Sequence, residues 1–217
     1  MNWYAKEEGA GYFRREWTPV VPTMPEDKNI KLRVRCFDTA MSVPTEQNND
    51  PDYTVGVLIA STFSGDYIIE DVQRFRKRAG EVEQELVRIV SEDYNLYGGG
   101  KYKAYLPQDP AGAGVAVRNY QAKTFAAEGV PVRFIKVGSQ KSKLKRFEPF
   151  ACSAENGLIK VLKADWNDEY FYELEAFDGT RRCGHDDQVD ATSDAYNTVA
   201  TSKELPKIDA SRLRMPV

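Results

Sequence analysis

Histidine is almost absent from this 217-residue chain; His185 is the only one. Cysteine is scarce too. Cys36, Cys152 and Cys183 are odd in number and show no C-x-x-C spacing, which argues against a disulfide frame or a zinc site and for a reduced, intracellular setting. No apolar run approaches the roughly 18 residues of a membrane span. The start, Met1-Asn2-Trp3-Tyr4-Ala5-Lys6-Glu7-Glu8, lacks the apolar core of a signal peptide. Excess positive charge is missing as well. Lys and Arg number 30 against 33 Asp and Glu, a net charge of −3, so a nucleic-acid partner requires locally clustered basic residues. What is present is ordinary for a globular chain: 41% apolar and 29% charged residues, in a length that suits one domain with a sizeable core or two small ones.

The first 30 residues are poorly periodic, with prolines at 19, 22 and 25. They read as an arm or linker that lays Trp3, Tyr12, Phe13 and Trp17 on the domain, since so many aromatics do not suit a disordered lead-in. Residues 31–40 alternate charged with apolar side chains and predict a strand with Asp38 at its end. After a polar loop containing Asn49-Asp50-Pro51-Asp52, residues 54–60 predict a buried strand. Ser64-Gly65-Asp66 then turns into a third strand over 67–72, completing an antiparallel meander. Val82, Leu86, Ile89 and Val90 mark an amphipathic helix over 80–97, stopped by Gly98-Gly99-Gly100. A strand from Lys103 leads to Asp109. A helix over 113–128, a strand over 130–137, a helix over 148–155, a strand over 158–162 and an acidic, aromatic helix over 166–177 follow. This alternation favours parallel pairing with helices on the sheet faces. The tail from 203 has little periodicity.

Four aspartates fall within nine positions, Asp186, Asp187, Asp190 and Asp194, where the last helix begins. Acidic residues at a helix start are favoured by the dipole and the free N–H groups, and that alone would explain them. The other reading is a metal site. If the strands ending in Asp38 and Asp109 lie side by side, their carboxylates emerge at one sheet edge, and the last helix brings Asp187 to them. Clustered carboxylates suit a hard divalent ion with oxygen ligands, Mg²⁺ or Mn²⁺. Two such ions about 3.5–4 Å apart activate a water and stabilise the leaving oxygen of a phosphodiester. Lys136 and Lys141 to Arg146 form the strongest basic cluster. Lys141, Lys143, Lys145 and Arg146 either contact DNA phosphates or form a solvated loop. Arg74, Arg76, Lys77 and Arg78 are a second basic group.

The order strand-Asp, strand-Asp, helix-Asp after a three-strand meander resembles the ribonuclease-H-like fold, an α/β mixed sheet with an antiparallel meander, parallel strands and flanking helices. Six segments narrow the resemblance to the C-terminal nuclease domain of the tailed-bacteriophage terminase large subunit: Gly11–Trp17, Phe37-Asp38-Thr39-Ala40 with Asn49–Gly56, Pro107–Gly114, Lys143–Pro149, Asp165-Trp166-Asn167 and His185–Ala191. The resemblance implies a metal-dependent endonuclease that cuts concatemeric viral DNA in the cytoplasm of the infected bacterium, with double-stranded DNA, a portal ring and a small terminase subunit as partners. It makes Asp38, Asp109 and Asp187 metal ligands, with Asp186 as an alternative or additional one. It gives His185 a role at the metal edge, in orienting a carboxylate, or in capping and packing. Asp190 either supports a ligand from behind or faces solvent. No G-x-x-x-x-G-K-[ST] phosphate loop is present, so the ATPase motor of whole large terminases is not expected here. An excised nuclease domain is favoured over a stand-alone one, with 1–30 as linker remnant, 31–202 as nuclease and 203–217 as tail. The alternatives are a resolvase or hybrid nuclease on the same fold, or a non-catalytic module that docks DNA or capsid components.

Overall fold

Val55, Val57, Leu58, Ile59 and Ala60 leave no polar alternation along their segment, and a strand of that kind has to be covered on both faces. In the structure, a computed structural model describing residues 11–108, 112–136, 143–179 and 184–202, this segment is β3 (Thr54–Thr62), buried along its whole length. The other strands are β1 (Val20–Val21), β2 (Ile30–Asp38), β4 (Tyr67–Phe75), β5 (Tyr102–Gln108), β6 (Val132–Lys136) and β7 (Ile159–Leu162). They form one sheet in the order β1-β7-β4-β3-β2-β5-β6, with β3 central. The meander β2-β3-β4 is antiparallel, and β5, β6 and β7 join it in parallel, as expected.

Helices cover both faces: α1 (Ala79–Tyr97), α2 (Gly112–Ala127), α3 (Lys143–Glu155), α4 (Asn167–Ala176) and α5 (Asp187–Thr201). Leu32, Val34 and Cys36 of β2 face the core shared with α3, α4 and α5. Phe37 faces the other core, made with Val82, Leu86, Ile89 and Val90 of α1 and Phe125 of α2. Helix α3 starts at Lys143 rather than near Glu148, with Pro149 inside it. Phe147, Phe150, Ala151 and Ala154 are all buried, and the apolar stripe they form carries the helix past the missing N–H of the proline.

The charged residues of β2 behave differently from an exposed strand face. Arg33 and Arg35 are buried on the α1 side. Arg35 Nε and Nη2 donate to the two carboxylate oxygens of Asp93 at 2.8 and 3.1 Å, and Nη1 donates to Asp71 at 2.8 Å and to the Gly56 carbonyl at 3.2 Å. The Tyr102 hydroxyl donates to Asp93 at 3.0 Å. Burial opposes the charge on Arg35, but Asp93 and Asp71 raise its pKa above the ordinary value. Asp93 itself sits on the apolar stripe of α1, where its position in the helical repeat follows Val82, Leu86, Ile89 and Val90.

The described part of the arm packs onto the α3–α4 side. Phe13 is buried against Phe147, Phe150 and Phe171, with ring centroids 5.9–6.4 Å apart. A Cβ on Gly11 would approach the Glu175 carbonyl oxygen to 2.6 Å, so only glycine fits there. Arg15 holds the Glu175 side chain through its backbone N–H and its guanidinium. Val20 and Val21 then pair in parallel with β7 as the outermost strand. Residues 1–10 and 203–217, including Trp3 and the expected tail, lie outside the described residues.

Two stability outcomes follow. Phe13→Ala is expected to cost about 3 kcal/mol, in line with truncation of a buried aromatic, and to lower Tm by roughly 6–12 °C. A plain linker would show no change. Arg35→Met strands the buried Asp93 carboxylate and is expected to cost about 3–5 kcal/mol, whereas Arg35→Met with Asp93→Leu recovers much of the loss. Urea denaturation of the four proteins (wild type, both single variants and the double) checks the second outcome.

Candidate metal centre

Because side chains alternate along a strand, Asp38 at the end of β2 points to the face opposite Arg35, toward α5. The loop after it is fastened at once. The Thr54 hydroxyl donates to the Ala40 carbonyl at 2.6 Å and accepts the Ala40 N–H at 3.1 Å. Helix α5 packs across β2 and β3. Its start is held from two sides. Glu173 of α4 accepts both the backbone N–H and the side-chain amide of Gln188 at 2.6 Å, so Glu173 rather than Asp186 serves the free N–H groups there. On the other side, the Tyr53 N–H donates to Asp187 Oδ2 at 2.9 Å. The aspartates of the motif are thereby left for other work.

Asp187, Asp190 and Asp194 share one side of α5 by helical spacing. Asp38 lies among them. Its pKa is pushed up to about 7 from an ordinary 3.8, first by burial, then by the charges of Asp190 and Asp187 and, more weakly, Asp194; Lys143 acts in the opposite direction. Burial also raises Asp187, against the Tyr53 N–H, and raises Asp194, against Arg146. The remaining acids are matched by α3. Lys143 Nζ lies 2.6 Å from both oxygens of Asp186 and 2.8 Å from Asp190. Arg146 reaches Asp190 at 2.6 Å and Asp194 at 3.3 Å. Among the described residues, no Lys or Arg stands within ion-pair distance of Asp38 or Asp187.

The histidine sits at the rim. His185 Nε2 is 2.9 Å from Asp50 Oδ2, and Nδ1 is 3.5 Å from Asp187 and 3.9 Å from Asp52. One ligand atom each from Asp52, His185 and Asp187 falls within 4.8 Å of the others, a grouping fit to hold a metal ion. The Tyr53 ring meets the His185 ring edge-on and carries the guanidinium groups of Arg74 and Arg76 over it at 3.5 and 3.6 Å. Arg76 also pairs with Asp50, and its hydrogen bond is the main cause that holds the Asp50 carboxyl below its ordinary pKa, followed by that of His185.

The structure thus brings together Asp38, Asp186, Asp187 and His185. Asp109, immediately after β5, and Lys141 lie outside the described residues; β5 does lie directly beside β2. Lys143 and Arg146 belong to α3 and turn their charge toward α5 rather than standing in a loop, and Lys145 lies exposed on the same helix. Sequence reasoning missed Asp50, Asp52 and Asp194 as members of the site. Asp194 left a signal in its spacing from Asp187 and Asp190, whereas Asp50 and Asp52 lay in a segment that carried the family resemblance without pointing to a role for either.

The raised pKa of Asp38 carries a pH dependence. A carboxyl that binds its proton more tightly folded than unfolded costs stability as pH rises from its unfolded value toward its folded one. In EDTA, the Tm of Asp38→Asn relative to wild type is therefore expected to increase between pH 4 and pH 8, by roughly 5 °C after allowance for partial exposure. Thermal scans of both proteins across that range check it.

Comparison with known proteins matches this arrangement to one family. The model of the terminase RNaseH-like domain matches residues 35–198. No curated protein matches the chain in sequence. The large terminase nuclease from thermophilic phage G20c, solved with bound magnesium, is similar with TM-score 0.55 and 18% identity over 87% of this chain and 97% of that one. The large terminase nuclease domain of Thermus phage P74-26 gives 0.54 and 16% over 87% and 95%. The manganese-soaked human cytomegalovirus terminase nuclease domain gives 0.59 and 10% over 83% and 89%. Identities this low speak for the fold. The family match, which spans most of the chain and takes in Asp38, His185, Asp186 and Asp187, says more: the chain belongs to the terminase RNaseH-like domain family.

Proposed function

We propose that this domain is a divalent-metal-dependent DNA endonuclease that cuts concatemeric viral DNA during genome packaging. The observation that carries the reading is the meeting of Asp38 and Asp187, from the first long strand and the last described helix, in a partly buried carboxylate site where no described Lys or Arg forms an ion pair with either. Carboxylates confined in this way resist ionising together unless a cation joins them. The magnesium-bound and manganese-soaked relatives support the same ions here.

In this reading Asp38, Asp187 and Asp109 hold Mg²⁺ or Mn²⁺, two ions in all, and Asp187 rather than Asp186 is the principal ligand, because Lys143 already clasps Asp186. The ions, when bound, polarise the scissile phosphate and lower the pKa of the attacking water. The chain's own residues prepare that chemistry. The Tyr53 N–H fixes one oxygen of Asp187, Glu173 anchors the turn that presents it, and the fastened loop after Asp38 keeps the two carboxylates opposed. Lys143 and Arg146 hold the neighbouring acids, and in this reading the half-exposed Lys143 ammonium also meets a DNA phosphate at the rim of the site. Lys145, exposed on α3, and Lys141, close by in sequence, are further candidates for phosphate contact. By the same family reading the domain works in the cytoplasm of the infected bacterium, beside a motor domain, portal ring and small terminase subunit. Among the described residues no helix is long and apolar enough to cross a membrane.

Nicking of supercoiled plasmid tests the proposal. Cleavage is expected with Mn²⁺ or Mg²⁺, none with EDTA, and a loss of at least about a hundredfold in Asp38→Asn and in Asp187→Asn, with both variants folded by circular dichroism. Undiminished cleavage in either variant would remove the carboxylate mechanism.

A further inference from the structure

Both basic groups of the sequence are engaged by carboxylates in the fold. Lys143 and Arg146 pair with acids of α5, Arg74 with Glu169, Arg76 with Asp50 and Lys77 with Glu85. Two cations on neighbouring strands differ. Among the described residues, neither Lys103 of β5 nor Arg133 of β6 has a carboxylate within ion-pair distance. Strand geometry puts them together. Side chains alternate, and β5 and β6 pair in parallel with Tyr105 beside Arg133. Tyr102, Ala104 and Leu106 point into the core shared with α1 and α2. Lys103, Tyr105, Arg133 and Ile135 therefore share the other face, the one on which α5 lies across β2 and β3. The described helices that pack on β5 and β6 are α1 and α2, behind them. Arg133 is exposed and Lys103 half-buried, and the Arg133 guanidinium lies over the Tyr105 ring, 6.0 Å from its centroid. Burial first, and the charge of Arg133 second, lower the pKa of Lys103. Two like charges with no acid between them oppose each other, and an anion that bridges them removes the conflict.

We propose that Lys103 and Arg133, with Tyr105 beneath the guanidinium, form a phosphate-binding surface on the open face of β5 and β6 that holds the backbone of duplex DNA a few nucleotides from the cut. The topology sets the distance. Strand β5 runs parallel to β2 with Tyr105 paired to Cys36, so this face leads toward the sheet edge that carries Asp38. At about 3.3 Å per residue and about 4.8 Å between strands, the Cα of Arg133 stands roughly 12 Å from that of Asp38. With about 3.4 Å of axial rise per nucleotide, that span is a few nucleotides along one strand of a duplex. The surface offers charge and a fixed guanidinium plane, which position a backbone without reading its bases. The inference rests on the nuclease reading only in naming DNA as the source of the phosphates.

The test is fluorescence anisotropy of a short labelled DNA duplex with the full chain, in EDTA so that no cutting competes, over a series of salt concentrations. Lys103→Met and Arg133→Gln are each expected to weaken binding about three- to tenfold at low salt, and to reduce the slope of log affinity against log salt by about 0.9. The double variant is expected to reduce it by about 1.8. Lys123→Gln, an exposed lysine on α2 behind the sheet, removes the same charge and is expected to change neither quantity. Slopes unchanged in both strand variants, or an equal loss in Lys123→Gln, would overturn the inference. Thermal scans separate binding from folding. Lys103→Met relieves the repulsion and is expected to hold or raise Tm at low salt; a clear drop would mean that the ammonium serves the fold, and would also overturn it. Metal-dependent nicking by a chain whose DNA affinity ignores this pair would leave the nuclease reading standing and remove only this surface. Binding that depends on the pair, in a chain that never nicks, would do the reverse.

Discussion

The buried guanidinium of Arg35 holds the framework on which the site depends. It joins a strand carbonyl on β3, a carboxylate on β4 and a bidentate carboxylate on α1, with a tyrosine hydroxyl from β5 closing the group. A charge removed from water tolerates little error in its partners. Slipping β2 by one residue would turn Arg35 to the opposite face and abandon all of these bonds at once. The same alternation that points Arg35 toward α1 points Asp38 toward α5, so fixing one fixes the other. The Phe37 ring, lying over Gly56 of the neighbouring strand, reinforces that register next to the carboxylate.

On the α5 side the acids divide into two sets. Asp186, Asp190 and Asp194 are answered by Lys143 and Arg146, which draws α3 and α5 together along a charged seam. Asp38 and Asp187 are answered by burial, a backbone N–H and one another. The first set is structural in its consequences: it positions the helix. The second stays electrostatically incomplete, and the raised pKa of Asp38 measures how far. A site of this kind gains most from a ligand that brings two positive charges in a small volume.

Much of this was legible in the residues. The strand ending at Asp38, the turn at Gly65, the helix marked by Val82, Leu86, Ile89 and Val90, and the helix opening at Asp187 follow from periodicity and turn chemistry, and the family resemblance gathered them into the right fold. What was not legible depends on pairings between distant segments. Nothing local says that Arg33 and Arg35 are buried rather than solvated, because Glu70 and Asp71 lie on β4 and Asp93 lies on α1, and only Asp27, which also pairs with Arg33, is close in sequence. Asp50 and Asp52 look like ordinary polar loop residues until His185 is placed beside them. Lys143 and Arg146 read as a basic patch for phosphate, and only the packing of α3 on α5 shows which way they face. Glu173 gave no hint that it would serve a free N–H at the start of the next helix.

The fastening of Asp187 at the head of the final helix has a consequence for synthesis. Chains fold roughly from the N-terminus as they leave the ribosome, domain by domain. Asp38 and the loop bearing Asp52 are made early, but His185 and Asp187 lie at the head of the last described helix, and α5 can dock on β2 and β3 only after β7 and α4 have emerged. All the described strands have thus been synthesised before the head of α5 is. A growing chain therefore cannot set Asp187 opposite Asp38 until α5 has been made.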